Sequence, residues 1–135
     1  DAEARLPSGS VGLERDRALA RQFVAAVLVG LGRADEALED CEAYADYARA
    51  ATAREPEVVQ TWRDLAGACE LLARVHEALA ASTADAAAAD EHRVLRRAGL
   101  EASREAYAEL ERRGGLTPSD EEHRAAVEGA LAGAP

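Results

Sequence analysis

The chain has 135 residues, of which 26 are acidic and 16 basic, so its net charge is −10. This length fits one domain of ordinary size. The acidic balance argues against a nucleic-acid partner, which needs a basic surface. The longest apolar run, residues 23–31, is less than half the length of a membrane span. We therefore expect neither a nucleic-acid partner nor a membrane span.

All of the cations are arginine, and Lys, Asn, Ile and Met are absent, which indicates a GC-rich coding sequence. About a quarter of the residues are alanine, a composition that favours helix over sheet. Two cysteines are too few for a disulfide scaffold. We find no signal peptide in the sequence, and we expect a cytoplasmic protein.

Residues 1–12 show no helical period and are interpreted as a linker or a frayed N-terminus. The first helix is predicted over residues 13–31, ended by Gly32 as a left-handed C-cap. Apolar residues follow a spacing of three and four along one face, which we expect to be buried. This face contains Ala20, Phe23, Val24, Val27, Leu28 and Leu31.

A second helix is predicted over residues 34–54, and Pro56 ends it. The turn between the first two helices is short, which predicts an antiparallel hairpin. The expected buried stripe of the second helix contains Ala37, Leu38, Cys41, Tyr44, Ala45, Ala48 and Ala51.

A second hairpin is predicted over residues 57–113. Its first helix, residues 57–79, has a regular apolar stripe of Val58, Trp62, Leu65, Cys69, Leu72, His76 and Leu79. Residues 80–90 are interpreted as a loop or a loosely held helical turn, and the next helix, residues 91–113, ends at Gly114 and Gly115.

A short capping helix is predicted over residues 118–131. Thr117 is its expected N-cap, Pro118 its first residue and Asp120 the carboxylate partner of the cap. Residues 132–135 are a tail. The sequence therefore predicts an all-α domain of five helices over residues 13–131, built from hairpins 13–54 and 57–113 and a C-terminal cap.

The segment Leu31-Gly-Arg-Ala-Asp-Glu-Ala-Leu38 resembles the signature of the tetratricopeptide repeat, with Ala25 and Leu28 at the small and larger sites of the first helix. The segment from Ser103 to Asp120 is similar to the closing part of long-helix arrays linked to bacterial eukaryotic-type serine/threonine protein kinases. The resemblance covers residues 13–131. The second hairpin departs from it, because it lacks the Gly-Arg-x-x-Glu-Ala turn and carries an insertion near residues 82–90.

This resemblance implies the C-terminal end of an α-solenoid, acting as a scaffold within a larger bacterial protein. In such arrays the first helix of each pair lines a concave groove. The groove residues carried over to this chain are Gln22, Ala26, Val29, Glu70, Arg74 and Glu77. The family's carboxylate clamp uses Lys and Asn, both absent here, so a helical or basic segment suits this groove better.

The sequence contains only weak candidates for catalytic or metal-binding motifs. Cys69 and His76 lie two helical turns apart, roughly 10 Å along the axis, too far for a hydrogen-bonded nucleophile pair. None of the histidines has a second His or Cys at metal-ligand spacing. The acidic residues around Asp40, and the pairs Glu91-His92 and Glu122-His123, are interpreted as solvated surface. We expect no enzyme, no metal and no cofactor.

The predicted function is protein–protein interaction, in which a helical groove binds a segment of a protein or peptide partner or, alternatively, the upstream repeats of the same chain. One alternative is a structural cap of the repeat array with no ligand of its own. Another is a self-associating helical bundle that dimerises through its first helix. The apolar content is thin for a domain of this size, which is consistent with a hidden neighbour for that helix.

Overall fold

The computed structural model describes the backbone of residues 7–133 and the side chains from residue 12 to residue 133. Within that range the chain forms five α-helices and no strand. Each helix packs on the next one along the chain, and the first also touches the third. The predicted all-α arrangement of helical hairpins is confirmed. The helices are α1 (Pro7–Gly30), α2 (Ala34–Arg54), α3 (Val59–Ser82), α4 (Ala86–Arg112) and α5 (Pro118–Gly133).

Both ends of the helical region are longer than predicted. Helix α1 begins at Pro7, so the predicted linker is wrong for residues 7–12, while residues 1–6 lie outside the described residues. Proline fits the first helical position because its missing N–H would have no partner there. Helix α5 continues through Ala132 to Gly133, so the tail prediction is wrong at these two positions; residues 134–135 are not among those described.

The connection between α3 and α4 is also shorter than predicted. Helix α3 continues to Ser82, and α4 begins at Ala86, so the loop predicted over residues 80–90 is reduced to Thr83–Asp85. The Asp85 carboxylate caps α4 by accepting a hydrogen bond from the backbone N–H of Ala87 at 3.0 Å. With this cap in place the alanine run propagates helix, since alanine has the highest intrinsic helix propensity.

Two glycines end helices as predicted. Gly32 has φ +75° and Gly114 has φ +68°, the left-handed conformation that glycine adopts without strain. After Gly32 the N–H of Arg33 donates to the carbonyl of Leu28 at 2.8 Å, which closes a Schellman motif. The same bond follows Gly114. These tight ends turn the chain back on itself and form the hairpins.

Helix α3 lies at the centre of the fold. Of its predicted stripe, Cys69 and His76 are buried, as expected. Val58 is the N-cap residue and is exposed, and the other, larger members of the stripe are half-buried. The most buried α3 residues also include small ones on other faces, such as Ala66 and Ala73. This helix is covered by α1 and α2 on one side and by α4 on another, so its burial extends beyond one stripe. The predicted stripe of α2 is buried except for Leu38, which is half-buried.

Small residues bring α3 and α4 close together. A Cβ atom added at Gly99 would lie 3.1 Å from the carbonyl oxygen of Cys69. One turn further, the hydroxyl of the buried Ser103 donates to the carbonyl of Ala66 at 3.0 Å. Close approach of this kind gives an alanine-rich core dense packing although it contains few large side chains.

The buried face predicted for α1 is wrong. Helix α1 instead buries Ala18 and Ala25 against α2 and α3. These alanines permit close contact with the neighbouring helices, with Leu19, Leu28 and Val29 packed beside them. Of the predicted face, Leu28 is half-buried and the other members are exposed: Ala20, Phe23, Val24, Val27 and Leu31. No helix in residues 7–133 combines the length and apolar character needed to cross a membrane.

Candidate binding groove

An open groove of about 700 Å³ lies between helices α1, α3 and α5. Four of the predicted groove residues meet there: Gln22 and Ala26 from α1, and Glu70 and Arg74 from α3. The rest of the lining comes from Leu19, Phe23, Arg63, Gly67, Leu71, Tyr107, Ser119, Asp120 and His123. We call this site the α1–α3–α5 groove.

The other two predicted residues do not line this groove. Val29 is half-buried and packs on the apolar cluster around Ala25. Glu77 faces α4, where its Oε2 lies 3.9 Å from the Arg96 Nε. Residues about one turn further along α1 and α3 therefore lie outside the groove. The packing of the neighbouring helices, and not the spacing of residues in the sequence, sets the length of the groove.

A chain of polar side chains joins the three helices of the groove. Arg15 on α1 binds the buried Asp64 on α3 through two hydrogen bonds of 2.9 and 3.0 Å. Gln60 donates to Asp64 at 2.8 Å and accepts from Arg63 at 3.1 Å. Arg63 in turn binds both carboxylate oxygens of Asp120 on α5. Bidentate arginine–carboxylate pairs have defined geometry, so this network positions α1 and α5 on α3.

Asp120 has two roles in this network. Its carboxylate accepts from the backbone N–H of Thr117 at 3.0 Å, while its own N–H donates to the Thr117 hydroxyl at 3.1 Å. This reciprocal pair is the predicted capping box, which is confirmed. Burial by itself would raise the pKa of Asp120, but the hydrogen bonds from Arg63 and Thr117 outweigh it and lower the pKa. The sequence pattern indicated the cap and did not reveal the ion pair with Arg63.

Glu70 is a mostly buried carboxylate in the groove, with its side chain 20% exposed. It accepts a hydrogen bond from the hydroxyl of Tyr107 at 3.0 Å, and its ion pair among the described residues is with His123 at 3.7 Å. Burial raises the pKa of Glu70, although the Tyr107 hydroxyl and the charges of His123 and Arg74 act in the opposite direction. Glu70 is therefore a carboxylate whose charge is only partly compensated by the protein itself.

Because burial raises the pKa of Glu70, the ionised group costs stability at neutral pH. A raised carboxyl pKa means that the folded state binds the proton more tightly, so stability falls as pH rises through the folded pKa. We expect Glu70→Gln to raise the free energy of unfolding at pH 7 by about 0.5–1 kcal/mol. In urea titrations this gain should disappear below the ordinary carboxyl pKa of 4.5.

The exposed Glu42 on α2 provides the control for this experiment. Glu42→Gln removes the same charge and should change stability by less than about 0.5 kcal/mol. A loss of stability in Glu70→Gln at pH 7 would contradict the assignment of Glu70 as an under-compensated charge.

Sequence reasoning did not find Tyr107, His123 or Phe23 as groove residues. Tyr107 and His123 reach the groove from α4 and α5, which lie outside the pairing of first helices that the resemblance implies. His123 was predicted to be solvated, and its side chain is indeed 60% exposed, yet it lies beside Glu70. No local pattern reports such a contact, because it joins residues more than fifty positions apart.

The thiols and the other histidines are structural in character. Burial raises the pKa of Cys41 to about 11 and also raises that of Cys69, so both remain thiols at neutral pH. The surface interpretation of His92 is wrong, since it is half-buried and its Nδ1 lies 3.0 Å from that of the buried His76. The described part of the chain holds no group of three or more side chains suited to a metal ion.

No protein-family model, curated protein or solved structure matches this chain significantly. The functional proposal therefore depends on the groove itself. Its three relevant properties are an apolar wall on α1, a partly compensated carboxylate on α3 and a hydrogen-bonded framework that holds both in place.

Proposed function

We propose that this chain is a non-catalytic protein-interaction module with tetratricopeptide-like hairpins. It binds a helical segment that carries basic side chains in the α1–α3–α5 groove. The observation that carries this proposal is Glu70, which offers a mostly buried carboxylate next to apolar side chains. A basic side chain of a partner would supply the compensating charge that His123 supplies only weakly.

The composition of the groove supports an amphipathic helix as the occupant. Leu19, Phe23 and Leu71 line it with apolar surface, which suits the apolar face of a partner helix. The net charge of −10 would attract basic partners and make their association dependent on salt.

The wider setting of the module follows the family resemblance. We place it in the cytoplasm, within a larger bacterial protein that also carries a kinase domain. The two free cysteines, both buried, fit a reducing compartment.

The test uses two synthetic amphipathic peptides of about 18 residues, a length that forms five helical turns. They share one leucine face, and their polar faces carry either lysine or glutamate. We expect titration calorimetry to show binding of the lysine peptide only. Glu70→Gln should weaken it about 10-fold, the equivalent of 1.4 kcal/mol. Arg74→Gln should strengthen it, because it removes a positive charge from the same groove.

Glu42→Gln is again the matched control, since it changes the net charge equally on the outer surface of α2. It should alter the affinity less than about twofold, the effect of a remote exposed charge. Equal weakening by Glu42→Gln and Glu70→Gln would mean that net charge alone attracts the peptide. Failure of both peptides to bind would instead favour a structural cap.

A further inference from the structure

An apolar stripe on α1, continued by Leu31 in the turn that follows, faces solvent on a side away from the α1–α3–α5 groove. All five members are exposed, and none of them lines the groove. They are Leu13 (47%), Ala20, Val24 (50%), Val27 (45%) and Leu31 (64%). Phe23, 71% exposed, flanks the stripe and also lines the groove. Helix α1 thus has two apolar sides, of which the fold covers one.

The spacing of the stripe is that of a helix–helix seam. Ala20, Val24, Val27 and Leu31 follow one another by four, three and four residues, the alternation of coiled-coil core positions. The same series results when it is read in the opposite direction. An antiparallel copy therefore places Val24 opposite Val27 and the small Ala20 opposite the larger Leu31, which gives self-complementary packing.

The exposed area reaches the size needed for a pair. The stripe together with Phe23 exposes roughly 500 Å² of apolar surface, at the upper end for a monomer. Two copies bury at most about twice that area, ~1,000 Å², which is where specific interfaces begin. This size suits a reversible dimer rather than an obligate one.

Charge does not oppose this contact, although the whole chain is strongly acidic. The eleven positions from Gln22 to Gly32 contain no charged residue. An antiparallel pair centred on Val24 and Val27 thus joins the uncharged halves of two α1 helices. This arrangement also sets the two helix dipoles in opposite directions, which is favourable.

We propose that the α1 stripe is the interface of a symmetric antiparallel dimer of this chain. The dimer and the proposed groove partner share Phe23, which flanks the stripe and lines the groove, whereas Val24, Val27 and Leu31 do not line the groove.

The experiment is sedimentation velocity on the 135-residue chain from about 1 to 200 µM, a range suited to a weak, reversible dimer. We expect the mass to rise from the single-chain value of 14.2 kDa towards twice that value. The double variant Val24→Glu/Val27→Glu should stay at the single-chain mass throughout. A wild-type chain that remains monomeric over the whole range would overturn the proposal.

The matched control is Val94→Glu/Leu95→Glu, which adds the same two charges at exposed apolar positions on α4. It should dimerise like the wild type. Circular dichroism checks that each variant is folded. The conservative variant Val24→Thr/Val27→Thr keeps the side-chain shape and should weaken dimerisation at least about 10-fold, because hydroxyls then lie in the seam. Dimerisation of both Val24/Val27 variants at wild-type strength would place the interface elsewhere and overturn the proposal.

The orientation is tested by thiol cross-linking. The native Cys41 and Cys69 are buried, so introduced surface thiols react selectively. A mixture of the Ala20→Cys chain with the Leu31→Cys chain should form an intermolecular disulfide faster than either chain alone. Faster self-linking of the Ala20→Cys chain would show a parallel pair and overturn the antiparallel arrangement.

Discussion

Replacing Gly99 by leucine should lower the free energy of unfolding by about 3 kcal/mol, because it forces α4 away from α3. Even a Cβ atom at this position would lie 3.1 Å from the Cys69 carbonyl oxygen and 3.2 Å from the Ala73 Cβ. These atoms belong to the backbone and the shortest side chain of α3, so they have no rotamer freedom with which to move aside. A longer side chain can fit only if the two helices separate.

The midpoint of chemical unfolding, followed by circular dichroism, measures this loss. Gly129→Leu is the matched control, because a Cβ atom at Gly129 in α5 meets no neighbour within 4 Å. That change should stabilise the chain by about 0.5–1 kcal/mol, since leucine favours helix over glycine. A cost below about 1 kcal/mol for Gly99→Leu would show that the α3–α4 contact yields easily.

Asp120→Ala should lower the free energy of unfolding by about 2–3 kcal/mol, because one carboxylate serves both the cap of α5 and the ion pair with Arg63. The side chain of Asp120 is only 6% exposed, so water cannot replace its partners without rearrangement. We expect α5 to loosen from α3, with faster amide hydrogen exchange in residues 118–133 than in α2. Asp46→Ala is the control: this carboxylate is 80% exposed, and its loss should cost less than about 0.5 kcal/mol.

The Asp120 contribution also has a defined pH dependence. The pKa of Asp120 is lower in the folded chain than its ordinary value of 3.8, so the unfolded chain takes up the proton first as pH falls. The stabilisation is therefore present above pH 3.8 and is lost as pH falls through the folded pKa. Asp120→Asn should remove this acid-dependent part, as seen in a smaller difference between unfolding free energies at pH 7 and pH 3. An unchanged pH dependence in Asp120→Asn would contradict the role assigned to this carboxylate.

The sequence predicted best those features that depend on neighbouring residues. The ends at Gly32 and Gly114, the break before Pro56 and the box of Thr117 with Asp120 each depend on a few adjacent residues. Conformational preferences and local hydrogen bonds decide such features wherever the segment lies in the fold. The prediction is wrong at most of residues 80–90, where the high helix propensity of alanine extends both helices although these residues bury little apolar surface.

Part of the groove could be predicted because it, too, depends on local helix geometry. Residues that share one helix face stay together in any packing, as Glu70 and Arg74 do on α3. Glu77 would continue that face, yet it turns towards Arg96 on α4. Only the positions of α4 and α5 decide where the face of α3 is open, and those positions depend on contacts distant in sequence.

The sequence by itself determined that this chain is helical, where most of its helices end and how its last helix is capped, because these properties follow from local preferences. Tertiary structure decided which side of α1 is buried. The sequence showed the apolar stripe, but the alanines opposite it allow closer packing, and the fold buries them instead. Tertiary structure also brought Tyr107 to Glu70 and Arg63 to Asp120. Such contacts join separate helices, and their energy exists only once those helices have packed.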